Sequence, residues 1–291
     1  MKKYGLLFFV ISITVLGLLM IFMPNDLLAV PDLLAADALL QKPYINMNVF
    51  GLAFVLIVPS STIMVYLLGI VTMLLGRSFL LHNNSKAGTW WGISMVFWGL
   101  GAILAGTSYQ GLGYELKCTS GDLCLFTSWF ELSYLYFTAV SIGALGIAIG
   151  YSTVDRNMNK LIIFEIVSVC IYTSILIIGS VLSNRFLISY ELFTIFFMPQ
   201  FVLFFILNVK RYMVLKDKMN RMLITTWILF LVVNISYFVY LFLGVTEVLY
   251  EEYKIWFSAN DILHVALLLW MIYLWAKVKP LIEDYKKNDI T

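Results

Sequence analysis

Charge is what this chain most conspicuously lacks. Only 12% of its 291 residues are Asp, Glu, Lys or Arg, and the two signs nearly cancel at a net +2. Soluble domains carry about 25% charged residues. The shortfall excludes an ordinary soluble enzyme and a disordered chain, and so small a net charge cannot build a nucleic-acid surface. Also missing are fixed-period repeats, low-complexity tracts and lipidation motifs at either end. What is present is hydrocarbon: 62% of the residues are hydrophobic. The composition is that of a polytopic membrane protein.

A crossing helix needs about 20 mostly apolar residues. Eight stretches qualify: residues 4–22, 49–76, 90–109, 126–150, 161–182, 186–208, 222–245 and 257–276. Their continuous apolar runs are unlike the alternating segments of a membrane β-barrel. The longest connection, 23–48, is too short for a second soluble domain. The predicted fold is an all-α integral membrane bundle of eight transmembrane helices, a seven-helix core plus an N-terminal helix or signal anchor, in a single domain over 1–291.

Basic residues in short loops stay on the cytoplasmic side. With the N-terminus inside, the inner segments hold Lys2, Lys3, Arg77, Lys86, Arg156, Lys160, Lys210, Arg211, Lys216, Lys218, Arg221, Lys277, Lys279, Lys286 and Lys287. Each outer loop holds one of the remaining four: Lys42, Lys117, Arg185 and Lys254. Both termini are therefore expected in the cytoplasm. The short loops favour a bacterial cytoplasmic membrane. Trp90, Trp91, Trp227 and Trp275 fall at inner span ends and Trp129 and Trp256 at outer ends, where indole rings prefer to sit; Trp98 and Trp270 lie deeper, as packing residues. The first span also has the basic start of a signal peptide, with a small-x-small site at Ala36-Asp37-Ala38. That site lies well beyond the apolar run, which favours a retained helix.

Cys118 and Cys124 share an outer loop and are candidates for a disulfide, since no neighbouring His or further Cys completes a zinc set. Cys170 reads as a buried apolar residue, and Pro59 and Pro199 as kinks in the second and sixth spans. Glu165 lies near the inner end of its helix, where pairing with Lys160 or reach to the interface accounts for it. Asn234 and Gln200 are explained by interhelical hydrogen bonds. His82 reads as a solvated loop residue beside Asn83 and Asn84.

One further set is brought together by topology. Gln110, Glu115, Glu131, Asn260, Asp261 and His264 all fall at one depth, close to the outer interface. Asn260 and Asp261 each share a helix face with His264. A carboxylate beside an imidazole can fix its tautomer for metal binding or proton transfer. A polar belt satisfying helix ends is the alternative.

Seven core helices, Gly106-x-x-x-Gln110, Phe130-Glu131-Leu132-Ser133 and Asn260-x-x-x-His264 resemble the superfamily of alkaline ceramidases and progestin/adiponectin receptors. Its pattern is Ser-x-x-x-His, an Asp, often in an Asp-Glu-Leu segment, and His-x-x-x-His. The resemblance implies zinc and hydrolysis of lipid amides. Only His264 stands where a family ligand stands, and Glu131 or Asp261 would have to complete the set. The expected function is an outward-facing polar pocket that binds or hydrolyses a lipid-like amphiphile. His264 would be ligand or general base, supported by Glu131 and Asp261, with Gln110, Asn260 and Glu115 contacting the substrate. A proton-coupled carrier is one alternative. A non-catalytic assembly subunit is another, presenting the basic loop 210–221, which attraction to anionic lipid explains equally well.

Overall fold

The computed structural model describes residues 3–23, 34–35, 40–82, 85–118, 123–153, 158–182 and 184–285. Lys2, Ala36-Asp37-Ala38, Asn83, Asn84, Arg156, Lys286, Lys287 and the His82 side chain lie outside the described residues.

Nearly all described residues are helical. In chain order the elements are α1 (Lys3–Ile21), β1 (Leu34–Ala35), β2 (Tyr44–Val49), β3 (Leu52–Ile57), α2 (Pro59–His82), α3 (Lys86–Gly106), α4 (Gly113–Lys117), β4 (Leu123–Cys124), α5 (Trp129–Thr153), α6 (Met158–Val181), α7 (Tyr190–Leu215), α8 (Lys218–Phe242), α9 (Val245–Tyr253) and α10 (Ala259–Tyr273). Seven of the described helices are long and apolar enough to cross a bilayer: α2, α3, α5, α6, α7, α8, and α10 with its continuation to Leu281. The chain is thus an all-α, multi-pass membrane protein by length and composition of its helices.

The second span is where sequence and structure part most. Residues 49–57 belong to an antiparallel hairpin, β2–β3, in register from Tyr44↔Ile57 to Val49↔Leu52. Phe50 and Gly51 form its two-residue turn, both at positive φ, the geometry that matches the twist of paired strands. Pro59 then opens α2 rather than kinking it, because a missing N–H is harmless in a first helical turn. Pro59–His82 is long enough to span alone. Pro199 does lie inside its helix, α7. The basic loop 210–221 is also mostly helical: only Lys216 and Asp217 separate α7 from α8, and Asp217 accepts the Asn220 N–H as the N-cap of α8.

α5 is the axis of the bundle and is buried along almost its whole length. Its sequence explains why. Ser133, Thr138, Ala139, Ser141, Gly143, Ala144, Gly146, Ala148 and Gly150 are small, which lets α1, α3, α6 and α7 approach it closely. α2 packs on α3, α10 on α2 and α8, and α7 on α8. Glycines set the α2–α3 distance. A Cβ at Gly99 would stand 2.5 Å from the Gly69 carbonyl oxygen, and one at Gly76 would stand 2.9 Å from that of Gly92. The two pairs lie two turns apart on antiparallel helices.

Four of the indoles expected at span ends, Trp90, Trp91, Trp129 and Trp227, are buried in the core. Trp91 stacks between Phe79 and Trp227, and Trp227 donates its indole N–H to Asn208 Oδ1 at 2.8 Å. Trp98 and Trp270 do pack together with Phe230. One bundle end is closed by the C-terminal segment: Asp284 accepts the Lys86 and Ala87 N–H groups at the start of α3, and the Tyr285 N–H donates to the Tyr151 carbonyl. The ladder β1–β4 and the hairpin lie at the opposite end.

Candidate functional site

Beyond Gly106, α3 loosens into a π turn, Thr107–Gly111, closed by the Leu112 N–H on the Thr107 carbonyl at 2.7 Å. The wider turn directs Ser108 and Gln110 inward and leaves Tyr109 exposed. Ser108 Oγ donates to Glu131 Oε1 at 3.0 Å and also hydrogen-bonds the Ser128 hydroxyl. Thr127 Oγ1 donates to Glu131 Oε2 at 2.9 Å, and Lys117 Nζ forms an ion pair with Glu131. Lys117 and Glu131 are both buried, and the ammonium also lies over the Tyr109 ring. Desolvation, together with the nearby Lys117 charge, holds the Lys42 ammonium below its ordinary range. Cys118 and Cys124 are joined by a disulfide that closes the loop after α4.

The other expected site residues do not join this cluster through any hydrogen bond or ion pair among the described residues. Glu115 Oε1 accepts the Val55 N–H at 2.5 Å and ties the hairpin down. Asp261 forms a capping box with Ser258, accepting its N–H at 2.6 Å and its hydroxyl at 2.9 Å. Asn260 is exposed. Gln110 is buried, and its Oε1 has no hydrogen-bond partner among the described residues; the same holds for His264 Nδ1. α10 packs chiefly on α2 and α8, whereas α5 carries Glu131 among α1, α3, α6 and α7. Zinc is implied by the family pattern, but the residues do not fit it. No group of three or more His, Cys, Asp or Glu among the described residues is placed to hold a metal ion. The carboxylates that would have joined His264 serve an ion pair and a helix cap instead.

Glu165 behaves differently from the sequence reading. It does not pair with Lys160, because a five-residue separation puts the two about 140° apart around a helix. It is 0% exposed, and neither carboxyl oxygen has a hydrogen-bond partner among the described residues. Room for the group comes from α5: a Cβ at Gly146 would stand 2.1 Å from Glu165 Oε1. Glu165 lines a cavity of about 360 Å³ formed on the α5 face between α1 and α6, with α3 as a further wall. That is within the size range of small-molecule sites, about 300–1,000 Å³. Its lining is otherwise mostly apolar or aromatic, including Val10 and Ile13 of α1, Trp90 and Phe97 of α3, Val140 and Ala144 of α5, and Val169 of α6.

The cavity's hydroxyls do not serve the carboxyl. Thr173 and Ser174 donate back to the Val169 and Cys170 carbonyls, at 2.8 and 2.9 Å, and Tyr136 donates to the Ile13 carbonyl at 3.3 Å. Cys170, expected inside the protein, is an exposed free thiol at the cavity's edge. Two other polar residues also depart from expectation. Asn234 donates to Phe230 O of its own helix at 2.8 Å, and Gln200 Oε1 is buried without a partner.

Comparison of the chain with protein-family models, curated proteins and solved structures returns no match. The superfamily resemblance therefore rests on the quoted residues alone.

Proposed function

We propose that the chain is an eight-span protein of a cell membrane that binds a lipid-like amphiphile in the cavity between α1, α3, α5 and α6. In this reading α1 is the first span and both termini lie in the cytoplasm. Basic residues support that orientation: Arg77, Lys86, Lys160, Lys210, Arg211, Lys216, Lys218, Arg221, Lys277 and Lys279 fall on the inner side in this reading, against Lys42, Lys117, Arg185 and Lys254 on the outer side. The short connections favour a bacterial cytoplasmic membrane.

One observation carries the binding reading: a buried Glu165, with both carboxyl oxygens unpartnered among the described residues, lines the wall of a mostly apolar cavity. An ionisable group within a span is costly and marks a functional site by default. An occupant with a hydrocarbon body and one polar end satisfies both wall and carboxyl. The proposal is for binding. The acids that a hydrolase or a proton relay would use at the outer mouth are engaged with Lys117, β3 and the α10 cap.

Purification in mild detergent, solvent extraction and mass spectrometry test the proposal. The wild-type protein is expected to release an amphiphile in stoichiometric amount. Ala144→Phe, which fills the cavity, is expected to release at least about tenfold less. Equal release from the two proteins would refute the cavity as the binding place.

A further inference from the structure

Given the binding reading above, the polar end of the occupant has a definable chemistry. We propose that the cavity selects an amphiphile with a cationic head, a protonated amine on a hydrocarbon chain, and that Glu165 is its counter-ion.

The carboxyl of Glu165 presents two oxygens and receives no donor from the described residues. The hydroxyls of Tyr136, Thr173 and Ser174 on the cavity wall donate to the backbone carbonyls of Ile13, Val169 and Cys170. Among the described residues, no Lys, Arg or His lines the cavity. A carboxylate left alone in a medium of low dielectric is strongly unfavourable, and removing one partner of a buried pair costs several kcal/mol. A cationic head supplies the missing partner, and an ammonium brings donors for both oxygens. An alcohol brings one donor and no charge. A fatty-acid carboxylate brings like charge and no donor, so it is rejected.

The rest of the cavity fits this choice. Its wall is apolar apart from Glu165 and a few groups such as the Tyr136, Thr173 and Ser174 hydroxyls, which are spent on backbone carbonyls, so the ligand's remainder is hydrocarbon. Trp90 and Tyr136 add aromatic faces, which attract cations when water is excluded. Gly146 fixes where the ion pair forms, because the carboxyl lies against the α5 backbone where any side chain would displace it.

The test uses photoreactive alkyl probes of one chain length carrying an amine, an alcohol or a carboxylate head, with the full-length protein in lipid nanodiscs. Cross-links are mapped by peptide mass spectrometry. In wild-type protein the amine is expected to label cavity peptides of α1, α5 and α6 about tenfold more than the alcohol, with the carboxylate weakest. Glu165→Gln is expected to reduce amine labelling to the alcohol's level, while unchanged alcohol labelling reports that the cavity is still formed. Equal labelling by amine and alcohol in wild-type protein overturns the cationic assignment and leaves the binding reading standing. So does an amine preference that survives Glu165→Gln. Absence of cavity labelling by all three probes overturns the binding reading itself.

Discussion

Glu131 and Glu165 are both acids sealed inside the protein, and they differ in what surrounds them. Glu131 has Lys117, Ser108 and Thr127 as partners; Glu165 has none. The first is therefore a structural pair and the second an open binding group. Lys117→Met leaves the Glu131 carboxylate buried without its cation, and is expected to destabilise the protein by about 3–5 kcal/mol. Adding Glu131→Leu should recover much of that loss, since a well-packed apolar pair often replaces a buried ion pair at little cost. Thermal unfolding in detergent, followed by near-UV circular dichroism, checks both variants; a double variant no more stable than the single one would contradict the pairing. The sequence located Glu131, Lys117 and Glu165 but not their relations. Lys117 stands in an outer loop in the linear reading, and only the fold carries it inward to Glu131. Glu165 looked harmless beside Lys160, although the five-residue spacing already put the two on different helix faces. The signal that was available, glycines and alanines at 143, 144 and 146 on the preceding span, becomes informative only once α5 and α6 are known to pack.

At the scale of elements, the helices followed from apolar runs and the exceptions followed from local chemistry. The run through 49–57 is as hydrophobic as a span, yet it is a strand pair. Tyr44-Ile45-Asn46-Met47-Asn48-Val49 alternates, Gly51 permits a tight turn, and Pro59 favours a helix start over a helix interior. Those signals were present and were outweighed by hydropathy. The α2–α3 interface is another case. Gly69, Gly76, Gly92 and Gly99 were visible as glycines, but which helix faced which was not. Gly99→Ala brings a methyl group within 2.5 Å of the Gly69 carbonyl oxygen and 2.4 Å of Met73 Cγ. Overpacking of this kind costs about 1–3 kcal/mol. A lowered midpoint in thermal unfolding is the expected result, with Gly51→Ala as a strained-turn comparison outside the bundle. An unchanged midpoint for Gly99→Ala would show that the two helices are not held by backbone contact.

Four helices, α1, α3, α6 and α7, pack on α5, and the same small residues that bury this helix also leave the cavity. Where Gly143, Ala144 and Gly146 face α6 and α1, the wall recedes and Glu165 occupies only part of the space. Close packing and an open site thus come from one sequence feature. Composition and the length of the apolar runs were enough to read the membrane class. They did not show that Glu115, Glu131 and Asp261 are consumed by pairing and capping: the Val55–Glu115 and Lys117–Glu131 contacts join residues well apart in sequence, and only the Ser258–Asp261 cap is local. The central claim is that the cavity beside Glu165 is a ligand site. It is tested most directly by electron cryomicroscopy of the full-length protein in nanodiscs made from its native membrane. Elongated density over the Gly143–Gly146 face of α5, ending within hydrogen-bond distance of the Glu165 carboxyl, is the predicted result. A cavity closed by α1 against α6, with Glu165 turned toward Lys160 and the membrane surface, would contradict it.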